Sequence, residues 1–122
     1  MEKLVDVQRE RSDAVVAEIA ADDAAQSFAA LGASVRLAIL RRLVRAGPDG
    51  TPVGALQESL GIAASTLSHH LRALGQAGLI RQIRDGRTLR CVANFDMIEA
   101  LAAFLINECC ADRTELDGRS TE

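Results

Sequence analysis

The chain has 122 residues and a formal net charge of −3, and 48% of it is hydrophobic although only three residues are Phe and none is Trp or Tyr. That length suggests one domain, with an aliphatic core of Leu, Ile, Val and Ala in a mostly helical chain. No apolar run nears the roughly 20 residues needed to cross a bilayer, and the charged opening Met1 to Glu10 is not a secretory leader. The expectation is therefore a cytoplasmic protein with no membrane partner, whose three cysteines stay reduced.

Charge is segregated along the chain. Residues 35–90 carry nine Arg against Asp49, Glu58 and Asp85, whereas the stretches on either side are acidic. A basic middle between acidic ends suits a domain whose centre meets phosphate.

In chain order, Val5 to Ala21 is highly charged with weak periodicity, and reads as an N-terminal helical extension over residues 1–21. Asp22 or Asp23 can cap a helix to about Leu31, which Gly32 breaks. Ser34 is placed to cap a helix through about Ala46. Its Val35, Ile39, Leu40 and Leu43 fall at helical spacing, and Gly47 stops it. Gly47 to Pro52 holds both prolines and reads as a loop. Val53 to Leu60 is a short helix, Gly61-Ile62 a tight turn, and Ala63 to about Gln76 a second helix. Two helices joined by a short Gly-containing turn form a helix-turn-helix.

The second of these helices has two faces. Leu67, Leu71 and Leu74 make an apolar stripe, while Ser65, Ser68, His69 and Arg72 line another face at i, i+3, i+4 and i+7. A helix entering the major groove N-terminus first would bring Ser65, Ser68 and His69 to base edges and leave Arg72 for phosphate. Next come two strand-like runs, Leu79 to Arg84 and Arg87 to Val92, about an Asp85-Gly86 hairpin signal. Arg81, Arg84, Arg87 and Arg90 punctuate them. A basic hairpin after a recognition helix is a wing, whose Arg84 and Arg87 can reach phosphate or the adjacent minor groove. The last helix is expected from a cap at Asp96 to about Cys110. Its broad apolar face (Met97, Ile98, Leu101, Phe104, Leu105) exceeds what one small domain needs. The polar tail Ala111 to Glu122 reads as flexible. The fold class is mainly α (α+β): a winged helix-turn-helix over residues 22–110, with about five to six helices and one hairpin.

An enzyme is not expected. The sole candidate nucleophile and base sets pair Cys109 or Cys110 with His69 or His70, at opposite parts of the pattern.

Leu56 to Leu60, Gly61-Ile62, Ser65-Thr66-Leu67-Ser68-His69-His70-Leu71, Ala77-Gly78-Leu79 and Arg84-Asp85-Gly86-Arg87 together resemble the ArsR/SmtB family of metal- and metalloid-responsive repressors. The resemblance covers roughly residues 25–110. It implies a homodimer that binds operator double-stranded DNA and lets go when an inducer binds. Ser65, Ser68 and His69 fall where the family contacts DNA. Ala64 departs from the family, many members carrying Gln there. The family's early arsenic site needs Cys in the helix Val53 to Leu60, which has none. Its zinc site needs His in the last helix, which has none. The Cys109-Cys110 pair, by contrast, is similar to the thiol site of some arsenic-responsive members, and soft thiolates suit trivalent arsenic. Such members often supply a third Cys, absent here beyond the pair. The resemblance thus implies arsenite or methylarsenite, or antimonite, as inducer, with the methylated form needing only two thiolates. The alternatives are a thiol redox switch and a metal-independent regulator. Cys91 reads as a half-buried strand residue, and His70 as a partly buried packing residue.

Overall fold

The computed structural model describes residues 19–116. In chain order these form α1 (Ala21–Ala30), α2 (Ser34–Ala46), β1 (Thr51–Pro52), α3 (Val53–Leu60), α4 (Ala64–Gln76), β2 (Ile80–Asp85), β3 (Thr88–Ala93), α5 (Phe95–Ile106) and α6 (Ala111–Leu116). The helix expected over Val5 to Ala21 lies almost wholly outside the described residues. No helix among the described residues is long and apolar enough to cross a membrane.

The helix starts differ from expectation by a residue or two. Ala20 and Ala33 are the N-caps of α1 and α2, and neither offers a side-chain cap. Asp22 and Asp23 instead lie in the first turn of α1, where carboxylates offset the positive end of the helix dipole. Ser34 is the first helical residue of α2 rather than its cap. At α5 the cap is Asn94, whose Oδ1 accepts from the Met97 N–H at 3.4 Å, and Asp96 sits in the first turn. Asn94 Nδ2 also donates to the Gly78 carbonyl at 2.9 Å, so the same side chain ties the start of α5 to the end of α4.

The helix ends fall where glycine chemistry puts them. Gly47 and Gly61 follow α2 and α3 with φ of 84° and 67°, a region that costs an L-residue but not glycine.

The three strands form an antiparallel sheet in the order β1-β3-β2. β1 corrects the reading of Gly47 to Pro52 as loop throughout: Thr51 pairs with Cys91 and Pro52 with Arg90. Two residues are too short for a period-two pattern, and Pro52 is tolerated because it lies on an edge strand. The hairpin register is also displaced by one. Asp85 pairs with Thr88, so the two-residue loop is Gly86-Arg87, with Gly86 at φ 65° in the placement a type II′ loop requires.

The core is aliphatic, as the composition demands. Ile39 and Leu43 of α2, Leu56 of α3, Leu67 and Leu74 of α4, Leu79 and Cys91 are fully buried together. Each buried Leu or Ile contributes roughly 1.5–3 kcal/mol by leaving water. The three leucines of α4 therefore supply the main energy that fixes the recognition helix on the body.

The last helix stops earlier than the apolar pattern suggests. α5 ends at Ile106, residues 107–110 form turns, and the chain resumes helix over Ala111–Leu116, a stretch whose polarity suggests an unstructured tail.

Two glycines give opposite expectations. Gly50 has φ 68°, and a Cβ there would run into the Cys91 carbonyl oxygen. Gly54, inside α3, has open space around that position. Gly50→Ala should destabilise by about 2 kcal/mol or more, and Gly54→Ala should stabilise by about 0.5–1 kcal/mol. Urea unfolding of the two variants measures both signs.

Candidate nucleic-acid interface and thiol pair

The two faces of α4 separate as their chemistry requires. Leu67, Leu71 and Leu74 are 1%, 3% and 0% exposed, while Ser65, Ser68, His69 and Arg72 all stand in solvent. The helix begins after Ala63, which provides no side-chain cap. Its first backbone N–H groups therefore have no side-chain acceptor at the cap and carry the partial positive charge of the helix N-terminus, in the turn that holds Ser65.

Polar contacts add to the apolar anchoring. The buried Ser27 hydroxyl of α1 donates to the Ala77 carbonyl at 3.0 Å, at the far end of α4. Midway along, the Arg36 Nε–H of α2 donates to His70 Nδ1 at 3.2 Å. Burial first, then the positive charge of Arg36 and the neighbouring His69, lowers the His70 pKa from its ordinary value. His70 is half-buried, as its sequence pattern suggests, but its contact with Arg36 has no signature in sequence spacing, because 34 residues separate the partners.

The wing divides its arginines by register. Ile80, Gln82 and Arg84 share a sheet face with Ala93, Cys91 and Leu89, and Arg81, Ile83 and Asp85 share the other with Val92, Arg90 and Thr88. Arg84 and Arg87 stand exposed at the tip, and Arg81 is exposed nearer the base. Arg90 has a different task. Its Nε–H donates to the Asp49 carbonyl at 3.2 Å, tying the hairpin to the loop before β1. The six residues expected at a DNA surface, Ser65, Ser68, His69, Arg72, Arg84 and Arg87, are thus all exposed, four on one helix face and two at the hairpin tip.

The cysteines fall into two environments. Cys91 is fully buried in β3, more deeply than its sequence setting suggests, and burial pushes its thiol up to about 11. Cys109 and Cys110 are both exposed, beyond the end of α5 rather than within it. Two successive helical residues point about 100° apart. Here Cys110 has a left-handed φ of 64°, and the two sulfurs lie 3.3 Å apart. The hydrogen bond between the two thiols is the first cause raising the Cys110 pKa from its ordinary value. Among the described residues no group of three or more His, Cys, Asp or Glu stands together to hold an ion, so Cys91 does not join the pair within one chain.

A helix-turn-helix whose recognition helix exposes a small polar stripe, followed at once by an Arg-tipped hairpin, defines a winged-helix DNA-binding regulator. Comparison with known proteins places it further. Residues 31–83 match the model of a helix-turn-helix domain. The chain is 32% identical over 93 residues to the HTH-type transcriptional regulator YgaV of Escherichia coli K12, covering 76% of this chain and 92% of that protein. It is similar to the crystal structure of an ArsR family transcriptional regulator, with a TM-score of 0.61 and 28% identity, covering 83% of this chain and 96% of the other. It is also similar to the solution structure of the homodimeric winged helix-turn-helix DNA-binding domain of Mycobacterium bovis Mb0332, with a TM-score of 0.57 and 28% identity over 71% of this chain and 81% of the other. The chain belongs to the ArsR family of DNA-binding transcriptional regulators, a family of non-enzymes.

The difference in thiol environment is directly measurable. In native protein at pH 8, a chromogenic disulfide reagent should titrate Cys109 and Cys110 quickly and leave Cys91 unreacted, because thiolate and access are both needed. Cys91 should react only after unfolding in denaturant. Rapid reaction of all three thiols in native protein would contradict the burial of Cys91.

Proposed function

We propose that this regulator is a homodimeric repressor whose operator binding is released by a trivalent arsenical held by Cys109 and Cys110. The observation that carries the reading is the 3.3 Å separation of the two sulfurs on an exposed turn. Two thiolates about 2.3 Å from a common atom, the length of a zinc–thiolate bond, meet it at roughly a right angle when their sulfurs are that far apart. A trivalent centre with a lone pair accepts such compressed angles. Tetrahedral zinc wants a wider one, and among the described residues no His or third Cys stands beside the pair. Soft thiolates favour a soft centre over hard ions. With two sulfurs in the pair, methylarsenite fits better than arsenite, since its carbon fills one of three bonds.

Dimerisation is supported by the apolar end of α5. Leu105 and Ile106 are 70% and 64% exposed and Phe104 beside them is 36% exposed, a contiguous apolar cluster in which Leu105 and Ile106 are more exposed than Leu37, Val44 and Ile83 at 44%, 40% and 45%. The M. bovis relative is a homodimer. Cys109 adjoins Phe104 and Leu105 in one shallow groove. A ligand seated there acts on the same segment that would hold two copies together. Operator half-sites recur about 34 Å apart, so re-spacing the two recognition helices weakens binding. Ser65, Ser68 and His69 are assigned to base edges, and Arg72, Arg84 and Arg87 to phosphate or the minor groove.

A disulfide within one chain is disfavoured. Cα atoms joined by a trans peptide lie about 3.8 Å apart, below the roughly 4.4–6.8 Å that disulfides span. A redox version would need a bond between two chains.

The decisive test is release. Reduced protein, bound to a duplex it has selected from a randomised pool, is titrated with arsenite, methylarsenite, antimonite, zinc and peroxide. Trivalent arsenicals should release the DNA, methylarsenite at the lower concentration, and the Cys109→Ser/Cys110→Ser variant should bind DNA yet resist release. Release by none of the five would sink the metalloid reading and leave the DNA-binding fold intact.

The wing has its own test. Arg87→Ala should weaken binding and lower the slope of log affinity against log salt by roughly one. An unchanged slope would remove Arg87 from the phosphate contacts.

A further inference from the structure

We propose that Arg36 is a positioning residue for DNA reading, its guanidinium bridging the end of α1 to His70 so that the orientation of the recognition helix is set by the α1–α2 junction. The inference rests on the family's DNA binding and not on the thiol reading.

Arg36 is oddly placed for any local purpose. It lies in the first turn of α2, where a cation opposes the helix dipole, and no acidic residue accompanies it there. Its contacts explain the position. Nη1 donates to the Ala30 carbonyl at 3.3 Å, one of the orphan acceptors at the end of α1, and Nε donates to His70 Nδ1 at 3.2 Å. One side chain thereby joins three helices.

The contact also dictates the state of His70. A guanidinium only donates and stays charged. Nδ1 must therefore present its lone pair, which leaves His70 neutral with its proton on Nε2. The charged groups acting on His70 are Arg36 from α2 and His69 on its own helix. The α1 residues beside Arg36 (Gln26, Ala29, Ala30) are neutral. Nothing in this set favours a second proton. Protonating His70 would turn the accepting nitrogen into a donor facing a guanidinium and break the bridge.

The bridge matters because of where it falls on α4. Ser27 fixes the carbonyl of Ala77, and the Arg36 bridge fixes His70, seven residues earlier. Two points about two helical turns apart define an axis. Both are held by α1, through Ser27 and Ala30, three residues apart in the same helix. The leucine stripe supplies attachment energy, but apolar contacts tolerate small rotations. The polar bridge sets how far around the axis His69, the neighbour of His70, is turned toward a base edge.

The test uses the full chain, the duplex selected by the wild type, and a random duplex. Arg36→Met keeps the stem and removes every donor. It should lower affinity for the selected duplex by on the order of tenfold, the scale of one hydrogen bond to a charged group. Affinity for random DNA and the salt slope should stay as they were, because Arg36 faces His70 and not phosphate. His70→Gln supplies an oxygen acceptor that does not titrate, and should keep selected-duplex affinity at pH 8 within about threefold. In the wild type, the ratio of selected to random affinity should fall as pH drops below the ordinary histidine value of about 6.5. In His70→Gln that fall should shrink. His69 is present in both proteins, so the difference between profiles belongs to His70. Equal losses on both duplexes with a shallower slope would make Arg36 a phosphate contact and overturn the proposal. Overlaid pH profiles for wild type and His70→Gln would overturn it too, and decide the matter even if Arg36→Met fails to fold.

Discussion

The molecule depends on one helix doing two things at once. Residues Ala64–Gln76 bury Leu67, Leu71 and Leu74 and expose Ser65, Ser68, His69 and Arg72. The two stripes cannot be adjusted separately, because both ride on one backbone with a 3.6-residue turn. Any rotation that improved the leucine packing would move the polar stripe by the same angle. The rest of the core (Ile39 and Leu43 of α2, Leu56 of α3, Leu79 and Cys91 beside the sheet) exists in the shape that receives those three leucines.

That constraint explains where three part-buried contacts between distant residues fall. Ser27 to Ala77, Arg36 to His70 and Asn94 to Gly78 all end on α4 or the turn that leaves it. Among the described residues no buried side-chain nitrogen or oxygen lacks a partner. A hydrogen bond nets only about 1 kcal/mol but has a narrow range of acceptable angles. Such bonds add little to the hydrophobic total and much to the uniqueness of the orientation. The sheet works the same way at the other end. β1 and Arg90 hold β3 to the loop before α3, so the wing leaves the body from a fixed base.

What was legible in the sequence follows the range of each interaction. The α4 stripes, the glycine at Gly61 and the Gly86 hairpin depend on neighbours within eight residues, and their pattern survives in the sequence. The starts of α1 and α2 differ from the sequence expectation because tertiary position outweighs the roughly 1 kcal/mol by which Asp22 or Ser34 would cap better than Ala20 or Ala33, and at α5 Asn94 and Asp96 are equally good caps between which sequence does not choose. β1 was invisible because its partner, Cys91, is 40 positions away and carries no complementary code. The Arg36 bridge was invisible for the same reason. The end of α5 was misplaced because apolar spacing continues through Leu105 and Ile106 and says nothing of where the backbone turns.

If the thiol reading holds, that turn bears most on regulation. A helix continued through Cys110 would splay the two thiols, and a ligand could then take only one from each chain. The left-handed residue at Cys110 brings them together instead. The cost of such a conformation for a residue with a Cβ is about 1–2 kcal/mol, which glycine would avoid. A glycine there would form the same turn and hold nothing. On the thiol reading, an atom bonded to both sulfurs stabilises the broken form of the helix end and not the continuous one. The ligand then has the differential affinity between two backbone states that any inducer must have. Leu105 and Ile106 lie immediately before the turn, so on that reading the choice between those states sets the direction of the segment that follows the exposed apolar end of α5.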